Sequence, residues 1–263
     1  MIASAHVIGM GRLGRHLAMR LETLGVEVKR WSRTATNGGS SMEDWKEATP
    51  TDACFLAVPD EAIEQVANSI ADSLPSHALM VHHAGAVPLD VLPVPSSRRA
   101  VMWPPMTFGP LGDPDWDTLP MGVETEHEPC FEWSKKLAPN AFRLTAISRP
   151  KLHLGAVLAG NLTAAWIGAV EHFLKQHQLP FSSLEPLIQE SVNNALKGSA
   201  LKTVSGPASR NDQSTLNQQV KALNSGSSNR PEFAELHRLL TNLILKEHGH
   251  PELPPVQTTP GRN

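Results

Sequence analysis

The sequence has 263 residues, of which 40% are hydrophobic, and this is enough to bury one large core or two small ones. A formal net charge of -3 and the lack of a Lys/Arg cluster argue against a nucleic-acid-binding protein. With two cysteines, Cys54 and Cys130, a disulfide framework is excluded and a reducing compartment is indicated. The first eight residues lack a basic leader, so we expect a cytoplasmic protein.

The first predicted elements are an apolar strand at residues 5–8 and a helix that ends at Gly25. Between them Gly9 permits a tight turn, Gly11 lets a pyrophosphate approach the backbone, and Gly14 lets the helix pack on the strand. Free N–H groups and the helix dipole favour a phosphate at this helix start. The stretch therefore predicts a dinucleotide site formed by Gly9, Met10, Gly11, Arg12, Leu13 and Gly14. An ordinary strand-to-helix turn is the alternative.

The second predicted strand, residues 26–31, indicates which dinucleotide binds. NAD-binding folds carry an Asp or Glu about 20 residues after the glycines for the ribose 2′-hydroxyl, whereas an Arg there accommodates a 2′-phosphate. This chain has Ser32, Arg33 and Thr34 at that point, and Glu27 lies too early, inside the strand. We therefore expect NADP to be bound by these three residues, unless Arg33 is only a solvated surface charge.

Two further buried strands are predicted at residues 52–58 and 78–82. Ligands of doubly wound sheets bind beyond the carboxyl ends of strands, so Ala57, Val58 and Pro59 are expected to face the cofactor. The alternative is that they only start the next helix. His83 follows the other strand and is a candidate substrate contact. We expect no metal site, because adjacent histidines point to opposite faces and no other ligands complete a set.

Prolines crowd residues 88–120 and make long regular elements improbable there. A short strand is predicted at residues 100–103, and two edge strands at 121–124 and 142–145 around a helix at 128–137. From residue 147 only helical patterns follow, at residues 151–178, 182–198, 213–223 and 231–248. We therefore predict an α/β, doubly wound Rossmann-type domain over residues 1–146, an all-helical domain over 147–250 and a disordered tail over 251–263.

Residues 154–170 are nearly free of charge, yet they are short for a membrane span and carry Asn161 at their centre. A buried helix is therefore expected, and no association with a membrane. Its glycines allow another helix to approach closely, which suggests a homodimer built on the helical domain.

Taken together, the chain resembles Rossmann-like oxidoreductases with a C-terminal domain of unknown function 2520. These are relatives of pyrroline-5-carboxylate reductase, ketopantoate reductase and 6-phosphogluconate dehydrogenase. The matching motifs lie in the expected order at residues 9–14, 57–60, 83–85, 153 with 161, and 206–212. The resemblance implies an NADP-binding domain followed by a 6-phosphogluconate dehydrogenase-like helical domain. The chain departs from the usual pattern at Trp103, which stands where a His is usual, at Asn211, which replaces Gly, and near Gln218, where a His is usual.

Candidate catalytic residues lie on the first helix of the second domain. His153 and Asn161 are eight residues apart, within about 80° around a regular helix and about 12 Å along it. Related reductases place a cation near this helix start and an Asn one or two turns later, which implies a proton donor and a substrate-holding amide. We favour His153 as the donor because its ordinary pKa is about 6.5, with Lys151 as the alternative. A structural His and Asn pair is the other interpretation.

The late turn offers one more candidate substrate contact. Arg210 can pair with a substrate carboxylate through two hydrogen bonds, or can form a structural turn with Asp212 before a helix. The sequence thus predicts an NADP-dependent oxidoreductase that moves hydride to or from a C=O or C=N carbon of a small metabolite. Two alternatives stay open: a non-catalytic NADPH-binding sensor or partner module, and a deazaflavin in place of NADP.

Overall fold

A computed structural model describes residues 2–35, 39–109, 114–224 and 231–255. The described residues contain one sheet of eight strands. In chain order they are β1 (Ser4–Ile8), β2 (Glu27–Ser32), β3 (Ser40–Ser41), β4 (Ala53–Leu56), β5 (Leu79–His82), β6 (Arg99–Trp103), β7 (Pro120–Glu124) and β8 (Asn140–Arg143). Across the sheet their order is β3-β2-β1-β4-β5-β6-β7-β8.

The sheet is doubly wound, as predicted. Neighbouring strands are parallel except for β6 and β7, which are antiparallel. The chain leaves β1 towards β2 on one side and returns to β4 on the other, so the strand order reverses beside β1. Such a switch point leaves a crevice at the carboxyl ends of the strands. The prediction that β7 is an edge strand is wrong, because β7 pairs with both β6 and β8.

Helices cover both faces of this sheet: α1 (Arg12–Thr23), α2 (Ile63–Ile70) and α3 (Glu128–Leu137). Helix α1 ends as predicted, since Gly25 has a φ of +77° and its N–H donates to the carbonyl of Glu22. Because strand residues alternate between faces, β1 and β4 each contribute to two apolar cores. One core contains Val7, Phe55, Val81 and Met102, and the other contains Ile8, Cys54, Leu56 and Met80.

The remaining described helices are α4 (Ser148–Ala156), α5 (Thr163–Gln176), α6 (Glu185–Leu196), α7 (Ala200–Thr203), α8 (Gln213–Asn224) and α9 (Pro231–Glu247). A π-helical segment, Val157–Leu162, joins α4 to α5 into one continuous helix. The chain divides into two compact units after Ala165. This division lies inside the long helix, whereas the boundary predicted from the sequence lies before α4.

The second unit has a small core of its own, made of Ala208, Leu216, Leu245 and Leu253. Leu253 is held to α9 from both sides: its N–H donates to Asn242 Oδ1 at 2.8 Å, and Asn242 Nδ2 donates to its carbonyl at 3.1 Å. Leu253, which belongs to the predicted tail, is therefore fixed to α9 by contacts. Residues 256–263 lie outside the described part of the chain.

The long helix from Ser148 to Gln176 is not buried within the chain, contrary to the sequence prediction. Leu154, Leu158 and Leu162 are 52–58% exposed. By length and composition alone the helix could cross a membrane, with a mean hydropathy of 1.3 over its most apolar window. Apolar composition predicted the helix correctly, but the described residues cover only part of its apolar side: Trp166 and Phe173 stack on Phe233, whereas the three leucines stay exposed.

Candidate active site

The three glycines after β1 have three different surroundings. Gly9 has a φ of +100°, and a Cβ there would lie 2.4 Å from the carbonyl oxygen of Ala57. A Cβ on Gly14 would lie 1.8 Å from the carbonyl oxygen of Gly9. Around Gly11, in contrast, no heavy atom lies within 4 Å of the Cβ position. Packing thus requires the outer two glycines, whereas the middle one faces open space that a pyrophosphate can enter.

The N-terminus of α1 has the features of an anion-binding site. Gly11 is its N-cap and offers no side chain to the helix, and the first turn carries no acidic residue. The first helical bond runs from the N–H of Arg15 to the carbonyl of Gly11 at 3.2 Å. The N–H groups of Arg12, Leu13 and Gly14 therefore have no acceptor within the helix, and they point towards the open space at Gly11. This arrangement fits a dinucleotide phosphate.

The carboxyl end of β2 lies beside the same turn, because the N–H of Gly9 donates to the carbonyl of Trp31 at 2.8 Å. Arg33 and Thr34 follow this strand and are exposed. Ser32 Oγ donates to the carbonyl of Thr34, which closes a tight turn after the strand. A guanidinium and two hydroxyls, with no carboxylate among them, suit a phosphate better than a free ribose hydroxyl.

The end of β4 also contacts the glycine turn. The N–H of Ala57 donates to the carbonyl of Ile8 at 2.8 Å, and the carbonyl of Ala57 packs on Gly9. Val58 is half-buried, and Pro59 is exposed and precedes a short 3-10 segment, Asp60–Ala62. The structure therefore brings Ala57 to the glycine turn, and Pro59 precedes a helical turn as the alternative interpretation expected.

His83 is buried at the carboxyl end of β5, with its ring stacked on Phe55 at 5.9 Å between centroids. Its Nδ1 lies 2.6 Å from the carbonyl oxygen of Met102 and must donate the proton, since a carbonyl only accepts. Burial lowers the pKa of His83 to about 4, so the ring is neutral at pH 7. Its Nε2 is therefore a buried acceptor, and among the described residues it has no partner.

His82 has the opposite tautomer and shapes the turn that follows. Its Nδ1 accepts from the N–H of Ala84 at 3.2 Å, and its Nε2 donates to the carbonyl of Pro88 at 3.3 Å. Burial, and then repulsion from His83 and Arg149, lower the pKa of His82 to about 3. Both ring nitrogens are occupied, so this histidine holds the backbone of the turn.

His153 lies against this turn, although it is 68 residues later in the chain than Gly85. A Cβ on Gly85 would lie 2.3 Å from His153 Nδ1, so the imidazole occupies space that only a glycine leaves free. The ring of Trp103 meets that of His153 edge-on at 5.4 Å. His153 Nδ1 is buried and has no hydrogen-bond partner in the described part of the chain. Lys151, the alternative donor, is exposed.

Asn161 lies within the π segment and is exposed. In a regular helix it would lie about 80° from His153. A π turn contains more residues than an α turn, so each residue of the segment advances the helix by on the order of 20° less. The segment therefore turns Asn161 back towards the line of His153. The two predicted catalytic residues share a helix edge more closely than the sequence alone indicated.

Arg149 and Glu124 were missed from the sequence. Arg149 Nε donates to Glu124 Oε2 at 2.7 Å, and their side chains are only 2% and 10% exposed. Arg149 Nη1 donates to the carbonyls of Gly85 at 2.8 Å and Ala84 at 3.2 Å. The available signal was position: Arg149 precedes His153 by four residues and therefore shares its helix face.

Asp212 and Arg210 lie in the second unit. Asp212 is a helix cap, because its carboxylate accepts from the N–H of Thr215 at 3.0 Å and from Thr215 Oγ1 at 2.7 Å. These bonds, with a smaller contribution from the charge of Arg210, lower the pKa of Asp212. Asn211 has a φ of +55°, a conformation that glycine adopts freely and Asn tolerates, so this departure from the usual Gly keeps the turn. Arg210 is exposed.

The described residues offer neither a reactive thiol nor a metal site beside these candidates. Cys54 and Cys130 are free and buried, and burial raises the pKa of Cys130 to about 12. Within residues 2–35, 39–109, 114–224 and 231–255, no group of three or more His, Cys, Asp or Glu residues is arranged to hold a metal ion.

Comparisons with known proteins agree with this geometry. Residues 120–244 match the family described as Domain of unknown function (DUF2520), which confirms the predicted resemblance. The match begins in β7, before the predicted domain boundary. A search of curated proteins finds no match.

Three solved structures illustrate the fold. A proposed NADP oxidoreductase from Bacteroides fragilis is 25% identical, with a TM-score of 0.78, and the match covers 93% of this chain and 98% of that one. A protein from Thermotoga maritima is 21% identical, with a TM-score of 0.69 and coverage of 93% and 99%. A pyrroline-5-carboxylate reductase from Coxiella burnetii is 17% identical, with a TM-score of 0.54 and coverage of 94% and 97%. The chain thus carries a DUF2520 domain within the fold of Rossmann-type NAD(P)-dependent oxidoreductases.

Proposed function

We propose that this protein is an NADP-dependent oxidoreductase that moves hydride to or from a C=O or C=N carbon of a small metabolite. The observation that carries the proposal is the glycine turn, where two glycines are closed in by backbone and Gly11 alone is open. The open position supports the proposal because it lies at a helix N-terminus, beside N–H groups that have no acceptor within the helix. When bound, the nicotinamide would supply the hydride, and the protein would supply orientation and a proton.

The cofactor residues have separate roles in this proposal. The N–H groups at the start of α1 bind the pyrophosphate, and Arg33 binds the 2′-phosphate with Ser32 and Thr34 beside it. Ala57, Val58 and Pro59 line the ribose side of the same crevice.

His153 is proposed as the proton donor, because its Nδ1 lies at the turn after β5 without a hydrogen-bond partner among the described residues, and an imidazole can pass a proton to a reacting oxygen or nitrogen atom. Lys151 is the alternative donor, and Asn161 holds the substrate. His83 is neutral and presents a lone pair, so it accepts a hydrogen bond from a substrate or cofactor N–H or O–H. Arg210 is retained as a contact for a substrate carboxylate.

Calorimetric titration with NADPH and NADH tests the cofactor assignment. We expect NADPH to bind more tightly, and Arg33→Ala to weaken NADPH about tenfold to a hundredfold while NADH changes little, since a charged hydrogen bond is worth about 1.5–3 kcal/mol. Lys136→Ala, which removes an exposed cation from α3, is the matched control. Equal affinities for the two cofactors together with an unaffected Arg33→Ala variant would overturn the assignment to NADP.

One observation favours a second function, that of a non-catalytic NADPH sensor or partner module. Trp103 is 7% exposed and packs on His153 at the position where similar sequences have a His. An indole there removes a polar group from the site. The sensor would be supported if the protein bound NADPH tightly but turned over no keto acid, aldehyde or imine. It would be supported further if these substrates were not turned over with a deazaflavin either.

We further propose that the protein is a cytoplasmic homodimer. Two buried free thiols suit a reducing compartment. The apolar side of the helix from Ser148 to Gln176 requires a cover, and a second copy of the same helix offers matching Gly and Leu residues.

A further inference from the structure

We infer that Arg149 and Glu124 form a clamp that positions His153 at the turn of residues 83–85. The inference rests on the proposed role of His153 as proton donor. Neither clamp residue touches the open space at Gly11, so both are positioning residues and act through the turn.

The clamp connects three parts of the first unit. Arg149 lies on α4, Glu124 ends β7, and the accepting carbonyls of Ala84 and Gly85 follow β5. A buried guanidinium is costly unless its charge is balanced and its N–H groups are bonded. Here the carboxylate balances the charge, and the two backbone carbonyls accept bonds from Nη1. The turn can leave this position only by leaving a buried charge short of partners.

His153 depends on the same turn. It lies one helical turn after Arg149, so both side chains face β5 from the same edge of α4. The carbonyl oxygen of Gly85 accepts from Arg149 Nη1, and the missing Cβ of Gly85 leaves the space for His153 Nδ1. Gly85 therefore both accepts the hydrogen bond from Arg149 and leaves space for the imidazole of His153. Any shift of Gly85 relative to α4 moves the ring.

The start of α4 is fixed independently of the clamp. Thr145 and Ser148 form a reciprocal cap: the N–H of Thr145 donates to Ser148 Oγ at 2.9 Å, and the N–H of Ser148 donates to Thr145 Oγ1 at 3.1 Å. This cap begins the helix but makes no bond to the turn at residue 85. A variant without the clamp therefore keeps α4 and loses only its attachment to the turn.

The test uses the double variant R149M/E124L in the full chain. Arg149→Met alone would leave the Glu124 carboxylate buried and unpaired, whereas the double change replaces the ion pair by apolar groups of similar size, which buried sites often tolerate. We expect the amides of residues 84–87 to exchange hydrogen at least about tenfold faster. We also expect the His153 imidazole nitrogen signals to shift in NMR spectra, and NADPH-dependent turnover of a panel of keto acids, aldehydes and cyclic imines to fall about tenfold to a hundredfold. NADPH affinity should stay within about twofold.

The matched control is R143M/E128L, which removes an exposed Arg–Glu pair elsewhere in the same unit. It should change neither the exchange of residues 84–87 nor the His153 signals. Unchanged exchange and unchanged His153 signals in R149M/E124L would overturn the clamp, whether or not a substrate has been found. His153→Ala separates the two ideas: full turnover in that variant refutes the proton donor, whereas an inactive His153→Ala beside a fully active R149M/E124L refutes only the clamp.

Discussion

Two glycines of the turn after β1 should respond differently to substitution: Gly14 matters for folding and Gly11 for cofactor binding. Gly14→Ala would place a methyl group 1.8 Å from a backbone oxygen, which cannot move aside without displacing the β1 turn. We expect it to destabilise the fold by several kcal/mol, on the order of 2–4. Gly11→Ala meets no atom within 4 Å, so its thermal midpoint should stay near that of the wild type. Its methyl group lies where the pyrophosphate would approach, and NADPH affinity should fall about tenfold or more.

Thermal unfolding and calorimetric titration of the two variants check this prediction. If Gly11→Ala binds NADPH like the wild type, the open position has no role in binding a dinucleotide.

Among single residues, the sequence was most informative about those whose contacts lie close by in the chain. The glycine turn could be recognised because Gly14 packs against Gly9, only five residues earlier, although Gly9 also packs against Ala57. Arg149 offered only one signal, its position four residues before His153 on the same helix face. Its backbone acceptors lie 64 and 65 residues away, and backbone groups leave no pattern in the sequence, so its role could be seen only once the fold was known.

The element that departs most from prediction is the long helix. Periodicity predicted its extent well, and it also predicted α3 with the same bounds as the structure. It could not predict the π segment, since one extra residue in a turn barely alters an apolar pattern over 29 residues. Nor could composition tell a helix buried in its own chain from one left for another surface to cover.

The π segment itself can be tested by deletion. A π turn accommodates one residue more than an α turn, so deleting Ala159 should restore a regular helix and leave α5 in register. Asn161 would then lie seven residues after His153, within about 20° of it around a regular helix, so turnover, helix content and thermal midpoint should all change little.

Deleting Ala169 from α5 is the contrasting variant, because it rotates all later residues by about 100° and should lower the thermal midpoint. Circular dichroism, thermal melts and NADPH oxidation distinguish the two deletions. Equal losses of stability in both would mean that the segment is not a one-residue insertion.

For the whole molecule, the buried histidines predict acid sensitivity. In the unfolded chain His82 and His83 gain protons below about pH 6.5. In the folded chain their pKa values are about 3 and about 4, so the fold resists protonation. Their contribution to stability is complete above about pH 6.5 and is lost as the pH falls towards 4, by at most about 1.4 kcal/mol per pH unit for each histidine.

Urea unfolding between about pH 7.5 and about pH 5 measures this slope. His83→Asn keeps a donor for the carbonyl of Met102 but cannot take up a proton, so its stability should depend on pH less steeply, by about one proton. His177→Asn, which replaces an exposed histidine, should keep the wild-type slope. An unchanged slope in His83→Asn would contradict a buried neutral ring.

The proposed dimer can be tested at the same scale by sedimentation or light scattering without detergent. We expect twice the mass of the chain, and Leu158→Arg should yield a monomer because it puts a charge into the apolar contact. Lys175→Glu, on an exposed position of α5, should leave the mass unchanged. A wild-type protein that is monomeric, or that requires detergent, would refute the dimer.

The contacts around Arg149 also limit which residues can replace those at positions 84 and 85 in homologous sequences. The guanidinium binds main-chain oxygens at residues 84 and 85, so its bonds do not depend on which side chains stand there. Packing sets the constraint instead: Ala84 is buried in an apolar core, and a Cβ at position 85 would collide with the rings of His153 and Trp103. Among homologues, position 84 should therefore stay small and apolar, and position 85 should stay Gly wherever rings occupy positions 103 and 153.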